Sequence, residues 1–178
     1  MTGEGVIDRK LVLCSSLQDL PYDELITHCD KCNHFFIYCC VCAQQNYPGL
    51  KPCHHSRVLF TDGACSRNGY NSAVAGMGMA YGSDKSFQKA VPILETMDPG
   101  QKRTSQRAEL LAAIEGQEFF RKAQEKYKAS EDVNAKSHER NSKQKSHESE
   151  SDGDIWVIAT DSEYVVKGMT EWLPAWKV

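Results

Sequence analysis

The chain has 178 residues, is 40% hydrophobic and carries a formal net charge of −3, which allows one globular core and a small appended module but excludes a protein held to nucleic acid by its summed field. Any nucleic-acid contact must come from local Lys, Arg and backbone N–H groups. No apolar run reaches the length of a membrane span and the N-terminal residues do not read as an export signal, so the eight cysteines are expected as thiols and metal ligands of an intracellular protein, in nucleus or cytoplasm, rather than as disulfides.

Residues 1–26 carry no motif and are expected as a lead-in, with a turn of helix around Pro21. Residues 27–55 are dense in Cys and His. Cys29 and Cys32 form one C-x-x-C pair, Cys39 and Cys42 a second, and the apolar stretch between them alternates as a hairpin strand does. A C-x-x-C turn presents two thiolates to one ion, so Cys29, Cys32, Cys39 and Cys42 are the first-choice ligands of a structural Zn²⁺. Cys53, His54 and His55 are alternatives, with His55 or Cys53 preferred, and the competing reading is a group of buried free thiols.

Residues 57–66, RVLFTDGACS, read as an apolar strand ending in Asp62, with Gly63 giving the backbone room for a turn or a close approach. Residues 73–81 and 86–93 follow as two further strands, joined by short connections and therefore antiparallel. Asp98, Pro99 and Gly100 make a turn. An amphipathic helix begins at Thr104 or Ser105 as N-cap, with Leu110, Leu111, Ala113, Ile114, Phe119 and Phe120 on its apolar side and Glu109 in its early turns.

Residues 126–154 are nearly devoid of large apolar side chains and mix both charges with Ser, Asn and His, the composition of a disordered insertion. Residues 155–160 restore a core strand, Asp161 ends it, and Asp161 and Ser162 cap a short helix that Gly168 is expected to break before Thr170 caps another.

Taken singly, Asp62 reads as a turn cap and Glu109 as a carboxylate welcome near a helix N-terminus. Three acids at three element ends form a constellation. TDGACSRNG, TSQRAELLAA and ATDSEYVVKGMTEWLPAWK resemble, in order and wording, the core motifs of the type 1 ribonuclease H family, over residues 57–178. The resemblance implies a ribonuclease H-like α/β fold, a mixed sheet with flanking helices, preceded by the Cys-rich module. It also implies an endoribonuclease that hydrolyses the RNA strand of RNA/DNA hybrids as a monomer, with Mg²⁺ or Mn²⁺ held by Asp62, Glu109 and Asp161 as the catalytic carboxylates. Clustered carboxylates repel one another, so the metal should also stabilise the fold locally.

By match to the family motifs, Gly63, Cys65, Asn68, Ser105, Gln106, Glu163 and Trp172 lie where substrate-contacting residues lie, with Lys167 and Lys177 near phosphates. Ser105 and Gln106 stand where bacterial members have an Asn pair. The hybrid-binding domain often found ahead of eukaryotic members is not recognisable. The chain ends at Val178, before the family's last strand, catalytic-loop histidine and fourth carboxylate, so a C-terminally shortened domain is expected. The alternative from another class is a catalytically inactive nucleic-acid-binding or zinc-dependent interaction protein on the same scaffold.

Overall fold

The structure, a computed structural model, describes residues 10–11, 13, 15–38, 54, 56–137 and 155–172, with backbone alone for 126–137. Two single-turn helices, α1 (Ser15–Gln18) and α2 (Tyr22–Leu25), lead into a hairpin of β1 (Ile26–His28) and β2 (Phe35–Ile37). Then come β3 (Ser56–Ser66), β4 (Val74–Ala80), a 3₁₀ turn (Lys85–Phe87), β5 (Gln88–Pro92), the long helix α3 (Ser105–Ser137), β6 (Ile155–Ala159) and α4 (Glu163–Lys167).

β3 is the spine of a mixed six-stranded sheet. Its first half runs parallel to β6, from Ser56 opposite Ile155 to Phe60 opposite Ala159, and its second half pairs antiparallel with β4, from Phe60 opposite Ala80 to Ser66 opposite Val74. β5 extends the sheet beyond β4, and β2 joins β3 at Phe36 opposite Arg57.

Alternation along β3 and β4 sorts the two faces, because successive side chains point to opposite sides of a strand. Leu59, Thr61 and Gly63 are buried on one face while Asp62 and Ala64 are exposed on the other. On β4, Ala75, Met77 and Met79 are buried in the same way. Leu59, Ala75, Met77 and Met79 form a single core with Tyr81, Ile93 and the α3 residues Ala108, Ala112 and Phe120.

Two glycines let helix and strand approach closely. A Cβ at Gly63 would lie 2.2 Å from the backbone of Ala108 and Glu109, and one at Gly116 would lie 2.8 Å from Thr61 Cγ2. Small residues here set the depth at which α3 sits, and hence where Glu109 ends up.

The structure departs from expectation in several places. First, α3 does not stop near residue 126 but runs on to Ser137, so part of the expected insertion is helical; residues 138–154 lie outside the described residues. Second, Gly168 is buried and has helical angles (φ −55, ψ −46), and the chain passes from α4 directly into one turn of π-helix, Gly168–Trp172. Glycine permits a helix break without forcing one. Thr170 is inside that turn, donating its hydroxyl to the Val166 carbonyl at 2.8 Å, so it starts no new helix. Third, the Cys-rich hairpin does not stand apart from the sheet. β2 is hydrogen-bonded to β3, His34 bridges to Gly82, and Phe36 is wholly buried. Among the described residues no helix is long and apolar enough to cross a membrane.

Candidate active site

Asp62, Glu109 and Asp161 come from β3, α3 and the end of β6, and they converge so that one carboxylate oxygen of each lies within 4.8 Å of the others. The convergence follows from topology. β3 and β6 run parallel as far as Phe60 and Ala159; β3 does not end at Asp62 as expected but runs on to Ser66, so Asp62 lies within the strand beside the point where β6 gives way to Asp161, and α3 crosses the buried face to bring Glu109 alongside.

The three acids do not share one environment. Asp62 and Asp161 are exposed, whereas Glu109 is half-buried and accepts the Gly63 N–H at 3.1 Å. Burial first, and then the neighbouring charge of Asp62, push the Glu109 carboxyl above its ordinary range, against the Gly63 hydrogen bond and together with Asp161. Among the described residues no Lys or Arg forms an ion pair with any of the three. Uncompensated carboxylates this close repel one another, and a hard divalent cation with oxygen ligands is the group that would relieve them. The donor set therefore fits Mg²⁺ or Mn²⁺.

A groove of about 790 Å³ opens on the sheet face away from α3, where Phe60, Asp62, Ala80, Ala159 and Asp161 line it with Tyr22. Asp62 and Asp161 thus stand at its edge.

The second set of sequence-selected residues surrounds these acids unevenly. Gly63 is buried under the α3 backbone, where its N–H orients Glu109. Cys65 is half-buried, with its thiol donating to the Ser66 carbonyl at 3.6 Å. Asn68 accepts the Ser105 N–H at 3.2 Å and so covers one of the open donors at the start of α3, while Thr104 is the N-cap, accepting the Arg107 N–H at 3.2 Å. Gln106 is exposed beside them. Glu163 is exposed and ion-paired with Lys167, and Trp172 packs edge-to-face on Tyr164. Lys177 lies outside the described residues.

One residue that the sequence suggested only as part of a turn has a larger part. Asp98 is buried and accepts hydrogen bonds from Arg103 at 3.2 Å and from both Nε and Nη2 of Arg107, the former at 2.9 Å. Hydrogen bonding from Arg107 holds the Asp98 carboxyl below its usual range despite burial. The acid clamps the loop before α3 to the first turn of the helix that carries Glu109. The available signal was two arginines closely following an Asp, Arg103 just before the helix and Arg107 in its first turn.

Of the expected zinc ligands, Cys29 and Cys32 lie at the β1–β2 turn with His54 beside them. Cys39, Cys42, Cys53 and His55 lie outside the described residues.

No family model matches the chain. It is 30% identical over 125 residues to a ribonuclease H of Schizosaccharomyces pombe, an alignment covering 70% of this chain and 33% of the relative. It is 33% identical over 122 residues to a ribonuclease H of Bordetella avium, covering 67% of this chain and 52% of that relative. The chain thus spans about a third and about half of the length of these two relatives. Among solved structures it is similar to a foamy viral protease-reverse transcriptase in complex with dsDNA, at a TM-score of 0.36 and 21% identity over 69% of this chain and 58% of that one, too distant a likeness to bear on function. With that identity over some two thirds of its residues, and folded as a mixed sheet crossed by one long helix, the chain belongs to the ribonuclease H-like family.

Proposed function

We propose that the chain is a metal-dependent endoribonuclease that hydrolyses the RNA strand of RNA/DNA hybrids. The observation that carries this reading is the convergence of Asp62, Glu109 and Asp161 within 4.8 Å beside an open groove. The two ribonuclease H relatives support the same class of chemistry.

Asp62, Glu109 and Asp161 would hold the divalent metal. When bound, the metal lowers the pKa of a water and neutralises charge on the phosphate. The chain's own residues provide position. The Gly63 N–H fixes one oxygen of Glu109, leaving the other for a ligand. Asn68 holds the start of α3 and so keeps Ser105 and Gln106 at the edge of the site, where hydroxyl and amide can meet a ribose 2′-OH or a base edge. Cys65 lies on the same strand, Glu163 directly follows the Asp161 turn, and Trp172 offers an aromatic face next to Tyr164 for the backbone of the second strand.

The experiment is cleavage of an end-labelled RNA/DNA hybrid by the purified chain across Mg²⁺ and Mn²⁺ concentrations, with Asp161→Asn in parallel. Cleavage confined to the RNA strand, dependent on metal and lost in the variant, is expected. Hybrid binding that survives Asp62→Asn, without cleavage at any metal concentration, would replace this reading with that of an inactive binding protein.

A further inference from the structure

We propose that Cys29, Cys32 and His54 hold a structural zinc ion that fastens the β1–β2 turn to the segment entering β3. The inference stands on its own residues and does not depend on the nuclease reading.

The turn between β1 and β2 is built to aim two sulfurs at one point. The Cys29 N–H donates to the His34 carbonyl at 3.1 Å, and the Cys29 carbonyl accepts the Asn33 N–H at 2.7 Å, closing the chain tightly around Asp30 and Lys31. Asn33, directly after Cys32, takes the left-handed conformation (φ 57) that such a reversal needs and that Asn tolerates. Cysteine ligates metal as the thiolate, and the turn presents both sulfurs on the side where His54 lies.

His54 completes the group from 22 residues further along the chain. Its Nε2 is 3.3 Å from Cys29 Sγ and 3.8 Å from Cys32 Sγ. Around one zinc, bonds of about 2.3 Å to sulfur and about 2.0 Å to nitrogen at the tetrahedral angle set sulfur and nitrogen about 3.5 Å apart. The observed separations bracket that value. The imidazole is held there by stacking on the wholly buried Phe36, with centroids 4.4 Å apart and planes inclined by 11°. Cys29 and Cys32 are both free thiols. Zinc in a structural site takes four donors, and the fourth comes from beyond this trio, as a thiolate or a water.

The hairpin's other ties run to the β4–β5 turn, through Phe35 to Tyr81 and Asn33 to Ser83, while its pairing with β3 among the described residues is Phe36 opposite Arg57. An ion shared between the hairpin turn and His54 anchors both sides of that short pairing, at the opposite end of β3 from Asp62.

The test is the zinc content of the full chain, purified without chelator under reducing conditions, followed by Co²⁺ substitution. About one zinc per chain is expected, with tetrahedral Co²⁺ bands in the visible on exchange. His54→Ala is the deciding variant, since the residue is exposed and its loss leaves the buried Cys29 in place. In His54→Ala and in Cys32→Ser, bound zinc should fall at least fivefold. His28→Ala, which removes a nearby imidazole engaged with Ser83, should retain it. A wild-type chain that is folded, carries no zinc and gives no Co²⁺ spectrum would overturn the proposal. So would zinc content unchanged in both His54→Ala and Cys32→Ser, or a Cys29–Cys32 disulfide in the reduced preparation. None of these readouts involves cleavage of nucleic acid, so the result is independent of the nuclease assay.

Discussion

The backbone N–H of Gly63 donates to the carboxylate of Glu109 at 3.1 Å, where α3 lies too close to β3 to admit a Cβ. One glycine therefore both admits the helix and orients an acid of the site. Gly63→Ala would drive a methyl to 2.2 Å from the Glu109 backbone nitrogen, and rigid backbone cannot yield as a side-chain end can. A loss of about 3 kcal/mol is expected from such overpacking, measured by urea unfolding, together with loss of metal-dependent cleavage. Stability within 0.5 kcal/mol (roughly the scatter of a surface substitution) would contradict this contact.

Gly116 gives the contrasting case. A Cβ there meets Thr61 Cγ2 at 2.8 Å and Leu59 Cδ2 at 3.3 Å, which are side-chain atoms able to shift. Gly116→Ala also gains about 1 kcal/mol of helix propensity, which offsets the crowding. Unfolding free energies of Gly116→Ala and wild type should agree to within about 1 kcal/mol, and the gap between the two glycine variants is the measurement that matters.

Glu109→Gln keeps a side-chain oxygen for the Gly63 N–H while removing one of three neighbouring negative charges. Without divalent metal the variant should melt above wild type, because repulsion is relieved. With Mg²⁺ the order should reverse, since wild type gains a bound ion and the variant gains little. Cleavage should fall by at least about 100-fold, more than is typical for loss of a residue that merely supports a ligand. Scanning calorimetry with and without Mg²⁺ checks the first two statements and the hybrid assay the third.

Asp98 couples the fold to pH. Its carboxyl titrates below the unfolded value because Arg107, and then Arg103, favour the charged form. The stabilisation is therefore complete above the unfolded carboxylate pKa of about 3.9 and disappears as pH falls through the lower folded value. Asp98→Asn should cost about 2 kcal/mol at neutral pH, less than a fully buried pair because Arg107 is partly exposed. The gap between variant and wild type should narrow as pH falls below the unfolded carboxylate range. A gap that stays equal from neutral to strongly acid pH would show that the charge is not the cause.

Much of the site was legible because each acid follows an apolar strand or opens a patterned helix. Asp161 follows Ile155 to Ala159 at a strand end as the apolar run suggests, whereas Asp62 after Val58, Leu59 and Phe60 lies inside β3, opposite Gly78, because the strand runs on to Ser66. The register that joins them was not legible, because parallel pairing across a long connection leaves no local mark. The length of α3 was missed for a different reason. Low apolar content was read as disorder, but Ala, Glu, Lys and Gln are strong helix formers, and Glu118, Arg121, Lys122 and Glu125 add ion pairs at i,i+3 and i,i+4. Helicity does not require a buried face along its whole length. His54 was noted among the possible ligands but not preferred, since only the stacking on Phe36 shows which imidazole faces the thiols.

The pairing of Ser56 with Ile155 closes a loop of about 100 residues, and drawing such a loop shut costs about 4 kcal/mol of chain entropy. The β3–β4 hairpin, by contrast, joins neighbours in sequence and forms early. β6 is accordingly expected to dock after the β3–β4 hairpin in folding, bringing Asp161 with it. A nascent molecule can hold Asp62 and Glu109 together, yet the third carboxylate arrives only with the completed sheet.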